Sequence, residues 1–137
     1  MQRVSRAALL LILAACSGGT DSPVDPRSLG SDAFLGRYAL EQVNGNNLPA
    51  AVLAETGTVE VVGSTLTLFG DGRFTLSDLL RLPAPGSPTP FKREYSGVYQ
   101  TSDTDITLVI QRLAVTGMLN GNTLTVLRGA PSYRYRK

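Results

Sequence analysis

Three glutamates, Glu41, Glu60 and Glu94, and the Asp-x-Asp pair Asp103 and Asp105 are the side chains whose types suit acid–base or metal chemistry. Two carboxylates can divide a proton between them and act as acid and base on a glycosidic bond. Each of these glutamates, however, lies mid-segment between apolar neighbours, which turns it toward solvent on a half-buried strand. For calcium, the loop opened by Asp103 needs a glycine at its sixth position, where Leu108 stands, and a closing glutamate that does not follow. A polar hairpin tip accounts for this pair better. Asp21 and Asp25 belong to a polar linker rather than to a metal site. The chain contains no His and a single Cys, Cys16. A Ser-His-Asp triad, an internal disulfide and a cysteine zinc site are therefore all excluded within it. Neither a phosphate loop nor a dinucleotide fingerprint occurs. The expectation is a non-enzymatic protein with no catalytic residues, no metal and no cofactor.

The elements that position these side chains are short strands. From Phe34 onward apolar and polar residues alternate with period two, and Thr and Val are abundant. Candidate strands are residues 37–43, 58–62, 65–69, 73–77, 94–100, 105–110, 115–119, 123–127 and 132–136. Gly63-Ser64, Asp71-Gly72 and Asn120-Gly121 between them are hairpin signals, because primed turns require positive φ. Consecutive strands joined by tight turns predict an all-β, antiparallel up-and-down meander of about eight to nine strands. Closing it into a small barrel removes both exposed edges. Residues 44–56 read as an interruption crossing one barrel end, with a helical turn around Pro49 to Ala54. Leu82 to Pro90 carries four prolines and is the longest break between strands, the first choice for a lid or partner contact. The expected inward-facing set is Leu40, Val61, Leu66, Leu68, Phe74, Leu76, Tyr99, Ile106, Leu108, Leu119, Leu124, Val126 and Tyr133.

The N-terminal region reads differently. Arg3 and Arg6 precede the apolar run Ala7 to Ala15, which is too short to span a bilayer and has the size of a secretory signal core. Leu13-Ala14-Ala15-Cys16 resembles the lipobox of bacterial lipoproteins. That resemblance implies cleavage before Cys16, a diacylglyceryl group on its thiol, and further acylation such as palmitate on the new amino terminus. Two or three acyl chains make such an anchor effectively permanent. Ser17, in place of Asp, is compatible with sorting to the outer membrane in some bacteria. Three regions follow: a cleaved signal peptide at 1–15, a lipid-anchored flexible linker at 16–33 and a barrel domain at 34–137. The formal net charge of +2 also dissolves on this view. Without Arg3 and Arg6, eleven basic residues face eleven acidic ones, which argues against a nucleic-acid partner.

A second resemblance spans residues 34–136. Gly36-Arg37-Tyr38, Val43-Asn44-Gly45, Leu48-Pro49, Leu66-Thr67-Leu68 before Asp71-Gly72-Arg73-Phe74, and Gly97-Val98-Tyr99 look like the small lipocalin-like domains of bacterial lipoproteins. Lipocalins place a Trp on the first strand under an Arg from the end of the barrel. Tyr38 stands at the Trp position here, and the resemblance implies a cation–π contact from Arg134 or Arg136. It also implies a ligand interior, with Leu40, Leu66, Leu68, Phe74, Tyr99, Leu108, Leu124 and Tyr133 as candidate lining residues.

Two functions therefore stand open for a lipid-anchored protein of the bacterial envelope. One is binding of a small apolar or amphipathic ligand inside the barrel, through a cavity opening beside residues 44–56 or 82–93. The other is a structural or protein-interaction module with a filled barrel, since barrels of about eight strands are just wide enough for side chains to fill.

Overall fold

In the computed structural model, residues 32–55, 57–86 and 88–137 are described. Cys16, the signal segment and most of the linker lie outside these residues. A 3-10 turn at Asp32–Phe34 leads into ten strands: β1 (Gly36–Val43), β2 (Asn46–Asn47), β3 (Ala50–Ala54), β4 (Gly57–Leu68), β5 (Arg73–Arg81), β6 (Phe91–Ser102), β7 (Asp105–Ile110), β8 (Leu113–Asn120), β9 (Thr123–Leu127) and β10 (Ser132–Arg136). All neighbours pair antiparallel in the order β2-β1-β10-β9-β8-β7-β6-β5-β4-β3. The additional β1–β4 pairing, Gly36↔Leu68 through Ala39↔Thr65, closes eight of these strands into a barrel. β2 and β3 lie outside the closure.

The alternation that suggested strands also sets the core. All thirteen residues expected to face inward are buried, and Tyr38, Leu124, Phe34 and Phe74 are at most 1 % exposed. Each outward partner is polar or partly solvated, so a single period-two pattern separates lumen from solvent.

Two expectations about connections fail, for one physical reason each. Gly63-Ser64 is not a turn. β4 runs straight through it with a bulge between Val61 and Gly63, opposite Leu80 and Leu79 of β5. The extra residue reverses the alternation, so Val59 and Val61 point inward before the bulge and Ser64, Leu66 and Leu68 after it. β1 uses the same device between Leu40 and Gln42, which puts Val43 rather than Gln42 in the core. Residues 44–56 are not a helical crossing either. Asn44 and Gly45 both have positive φ (52° and 78°), as a primed two-residue turn requires. The chain then doubles back as β2 and β3, and β3 pairs with the outer half of β4 from Ala50↔Val61 to Ala54↔Gly57. The backbone of β4 beyond the barrel rim would otherwise lack a partner on that side, and β3 supplies it.

Gly97 and Gly117 mark where strands approach most closely. A Cβ at Gly97 would lie 2.0 Å from the Val109 carbonyl oxygen and 3.0 Å from the Phe74 ring, and one at Gly117 would lie 2.7 Å from the Thr125 oxygen. Only glycine permits this tight curvature of β6 and β8.

Candidate functional site

The up-and-down order places two sets of groups at opposite ends of the lumen. One end holds the 3-10 turn and the β4–β5, β6–β7 and β8–β9 turns. Phe34 plugs it, 1 % exposed, and its carbonyl accepts a hydrogen bond from the Tyr38 hydroxyl at 2.8 Å. Burial, with a smaller contribution from Tyr99, pushes the Tyr38 phenol up to about 12. The cation over this ring is Lys137, with Nζ 5.2 Å from the centroid. Its ammonium also donates to the carbonyls of Ala33 and Leu35. This corrects the expected role of Arg134 and Arg136. On β10, Tyr133 and Tyr135 alternate inward, so Arg134 and Arg136 must point out. Arg134 donates to the Gln42 side chain and Arg136 pairs with Glu41. The cation over Tyr38 comes instead from the position just past the strand.

The other end holds the β5–β6, β7–β8 and β9–β10 connections, and its chemistry is ionic. Asp78 points into the lumen from β5 and is 3 % exposed. Its Oδ1 accepts a hydrogen bond from Ser64 Oγ at 2.6 Å, and its Oδ2 accepts one from Arg128 Nη2 at 2.7 Å. Ser64 Oγ also lies 3.0 Å from the Tyr135 hydroxyl. The Arg128 guanidinium sits over the Tyr133 ring at 4.7 Å and the Tyr95 ring at 5.8 Å. Burial opposes its charge, and the Asp78 carboxylate more than offsets that, so Arg128 stays protonated more firmly than usual. Burial also pushes the Tyr135 phenol up to about 12. Asp78 is on β5 and Arg128 directly follows β9, four places away around the eight-strand barrel, so their contact crosses the lumen. Among the described residues no buried side-chain polar atom lacks a hydrogen-bond partner.

Sequence reasoning missed this cluster. The strand expected at 73–77 stops one residue short of Asp78, although Phe74, Leu76, Asp78 and Leu80 continue one inward series. Extending the alternation by four residues would have found a carboxylate facing the core. Arg128 offers no such signal, because it lies beyond β9 and folds back.

The glutamates considered for catalysis are kept apart. Glu60 pairs with Arg81 at 2.6 Å, Glu94 pairs with Lys92, and Glu41 faces Arg136 at 3.5 Å. Asp103 and Asp105 flank the β6–β7 turn, where Asp103 has φ 53°. Among the described residues no group of acidic, Cys or His side chains is arranged to hold a metal, and no helix is long and apolar enough to cross a membrane.

A groove of about 470 Å³ lies not in the lumen but against β5 and β6. Arg73, Phe74 and Thr75 of β5 and Ser96, Gly97 and Val98 of β6 line it, and Phe69 and Asp71 of the β4–β5 turn complete it. It does not open beside residues 44–56 or 82–93. The turn at its end is firmly braced. Phe69 N donates to Arg73 O at 2.9 Å, Tyr99 N to Gly72 O at 2.8 Å, and the Tyr99 hydroxyl to Phe69 O at 2.6 Å. Arg73 grips Asp71 through Nε at 2.6 Å and through its backbone N–H, which holds the Asp71 carboxyl below the usual carboxylate range.

No protein-family model, curated protein or solved structure matches the chain significantly.

Proposed function

We propose that this chain is a non-enzymatic lipoprotein of the bacterial cell envelope, tethered through diacylglyceryl-Cys16, whose filled barrel is a rigid platform acting from its outer surface. The observation that carries the filled-barrel reading is the Asp78–Arg128 contact across the lumen, joined to Ser64 and Tyr135. An ion pair in which no buried polar atom lacks a partner occupies space that a ligand would need, and parting it leaves a charge stranded. The opposite end is sealed by Phe34, so the lumen offers no second door. Exposed apolar side chains on the outside, Phe69, Val98, Met118 and Leu127 among them, supply surface for a partner. The lipobox-like Leu13-Ala14-Ala15-Cys16, the short apolar run before it and the polar segment after it support the anchor, and Ser17 favours the outer membrane. The lipocalin-like reading of the domain is supported by the sealed end, where a cation covers an aromatic ring on the first strand.

Native mass spectrometry of the full chain from a cell-derived preparation tests the platform reading. The expected spectrum shows the lipidated mass alone. A reproducible non-covalent adduct lost on denaturation would favour a small apolar or amphipathic ligand instead. The anchor has a separate check. Cys16→Ser is expected to move the protein out of the membrane fraction, and retention there would contradict lipidation.

A further inference from the structure

We propose that the groove beside the β4–β5 turn binds a saccharide unit of a glycan. This rests on the reading of a filled barrel that works from its outer face.

The floor of the groove is two strands, Arg73–Thr75 and Ser96–Val98, in register Arg73↔Val98 and Thr75↔Ser96. β5 is paired on both sides here, with β4 and β6, while β6 is paired with β5 throughout and with β7 from Val98 onward. The backbone of β5 is therefore consumed across the floor, as is that of β6 at Val98. An extended peptide would join the edge of β6 before Val98 rather than lie on this floor, so side chains do the recognising in the groove.

Those side chains divide into two kinds. Phe69 is 44 % exposed and Val98 53 % exposed, which gives an aromatic surface and an aliphatic wall open to solvent. Thr75 and Ser96 are exposed hydroxyls, each able to donate and accept. Asp71 and Arg73 add a carboxylate and a guanidinium whose charges cancel. A pyranose ring has the matching division: an apolar C–H face that stacks on an aromatic ring, and a rim of hydroxyls that both donate and accept. A fixed anion or cation would gain little from a site whose two charges already neutralise one another.

Preorganisation is the second support. The Phe69 carbonyl is held by both Tyr99 and Gly72, and the Asp71 carboxylate by Arg73. Ligand groups thus meet a surface already ordered, which lowers the entropic cost of binding. The volume of about 470 Å³ lies within the range of small-ligand sites.

The test uses the full lipidated chain in detergent micelles, labelled with 15N and titrated in parallel with an N-acetylglucosamine tetrasaccharide and a glucose tetrasaccharide. At least one is expected to give saturable chemical-shift changes confined to residues 69–75 and 96–98. Phe69→Ala should weaken that binding roughly tenfold, as loss of a central aromatic contact does. Thr75→Val should weaken it less, and Leu53→Ala, on β3, should leave it unchanged. Should Phe69→Ala fail to fold, Val98→Asp on the same wall keeps the test decisive. Absence of shifts at these residues with both glycans, or binding indifferent to Phe69→Ala and Val98→Asp, overturns this inference and leaves the filled barrel standing. Shifts centred on Leu66, Leu124 and Tyr133 would overturn both.

Discussion

The two ends of the barrel each place a basic side chain over a tyrosine, and they do so at different energetic risk. At the sealed end Lys137 lies over Tyr38 and spends its remaining donors on two backbone carbonyls. No buried charge depends on it. At the opposite end Arg128 lies over Tyr133 and is bound to a carboxylate with 4 % side-chain exposure. Removing Lys137 exposes a ring, whereas removing Arg128 strands an anion in the core. Similar contact geometry thus serves as a cover at one end and as a lock at the other.

The largest expected effect follows from that asymmetry. Arg128→Met or Asp78→Leu should each lower stability by about 3 kcal/mol, the low end of the range for a broken buried pair. Arg128 retains 19 % side-chain exposure, so solvent shares its charge and the upper end is not reached. The double variant Asp78→Leu with Arg128→Met should recover most of the loss, because no unpaired charge remains. Urea unfolding of the four proteins gives the coupling directly. Additive losses would mean that the pair does not act as a lock.

Alkali is expected to strike both ends alike. Tyr38 and Tyr135 both titrate near 12 in the folded chain, against about 10 when unfolded. A raised folded pKa means that the protonated phenol is the form the fold favours. Its contribution is fully present below pH 10 and is lost as the pH rises toward 12. Two units correspond to about 2–3 kcal/mol for each tyrosine. Thermal melts between pH 9 and pH 12 should fall steeply, and Tyr135→Phe should reduce the slope without abolishing it, because burial raises Tyr99 and Tyr133 as well.

The smallest effect separates the three basic residues at the end of the sequence. Lys137→Ala should cost about 0.5–1 kcal/mol, as expected for a cation–π contact near the surface. Arg134→Ala and Arg136→Ala should each cost less than about 0.5 kcal/mol, because their partners are exposed side chains. The reverse order would restore the assignment first suggested by the sequence.

That last contrast shows what was legible and what was not. Alternation is a local property, so most barrel strands and the inward set were readable residue by residue, while closure was expected only because it removes two exposed edges. Bulges were not. Nothing in Val61-Val62-Gly63-Ser64 distinguishes a bulge from a turn, since a glycine and a break in period are compatible with either. The strand β3 was also hidden, because Ala50-Ala51-Val52-Leu53-Ala54 is helical by propensity and becomes a strand only when β4 presents an unpaired backbone. The Asp78–Arg128 lock joins residues 50 positions apart, and no local pattern reports such a pairing. The groove at Phe69 was half visible: Asp71-Gly72 announced a turn, but not the bracing by Tyr99 that holds it.

The central claim, that the lumen is filled, is met most directly by a crystal of the domain under xenon pressure, since xenon enters dry apolar cavities. The expected result is no xenon inside the barrel, with the Asp78–Arg128 contact intact. Ordered xenon among Leu66, Leu108 and Leu124 would contradict it, and would place the binding surface inside the barrel after all.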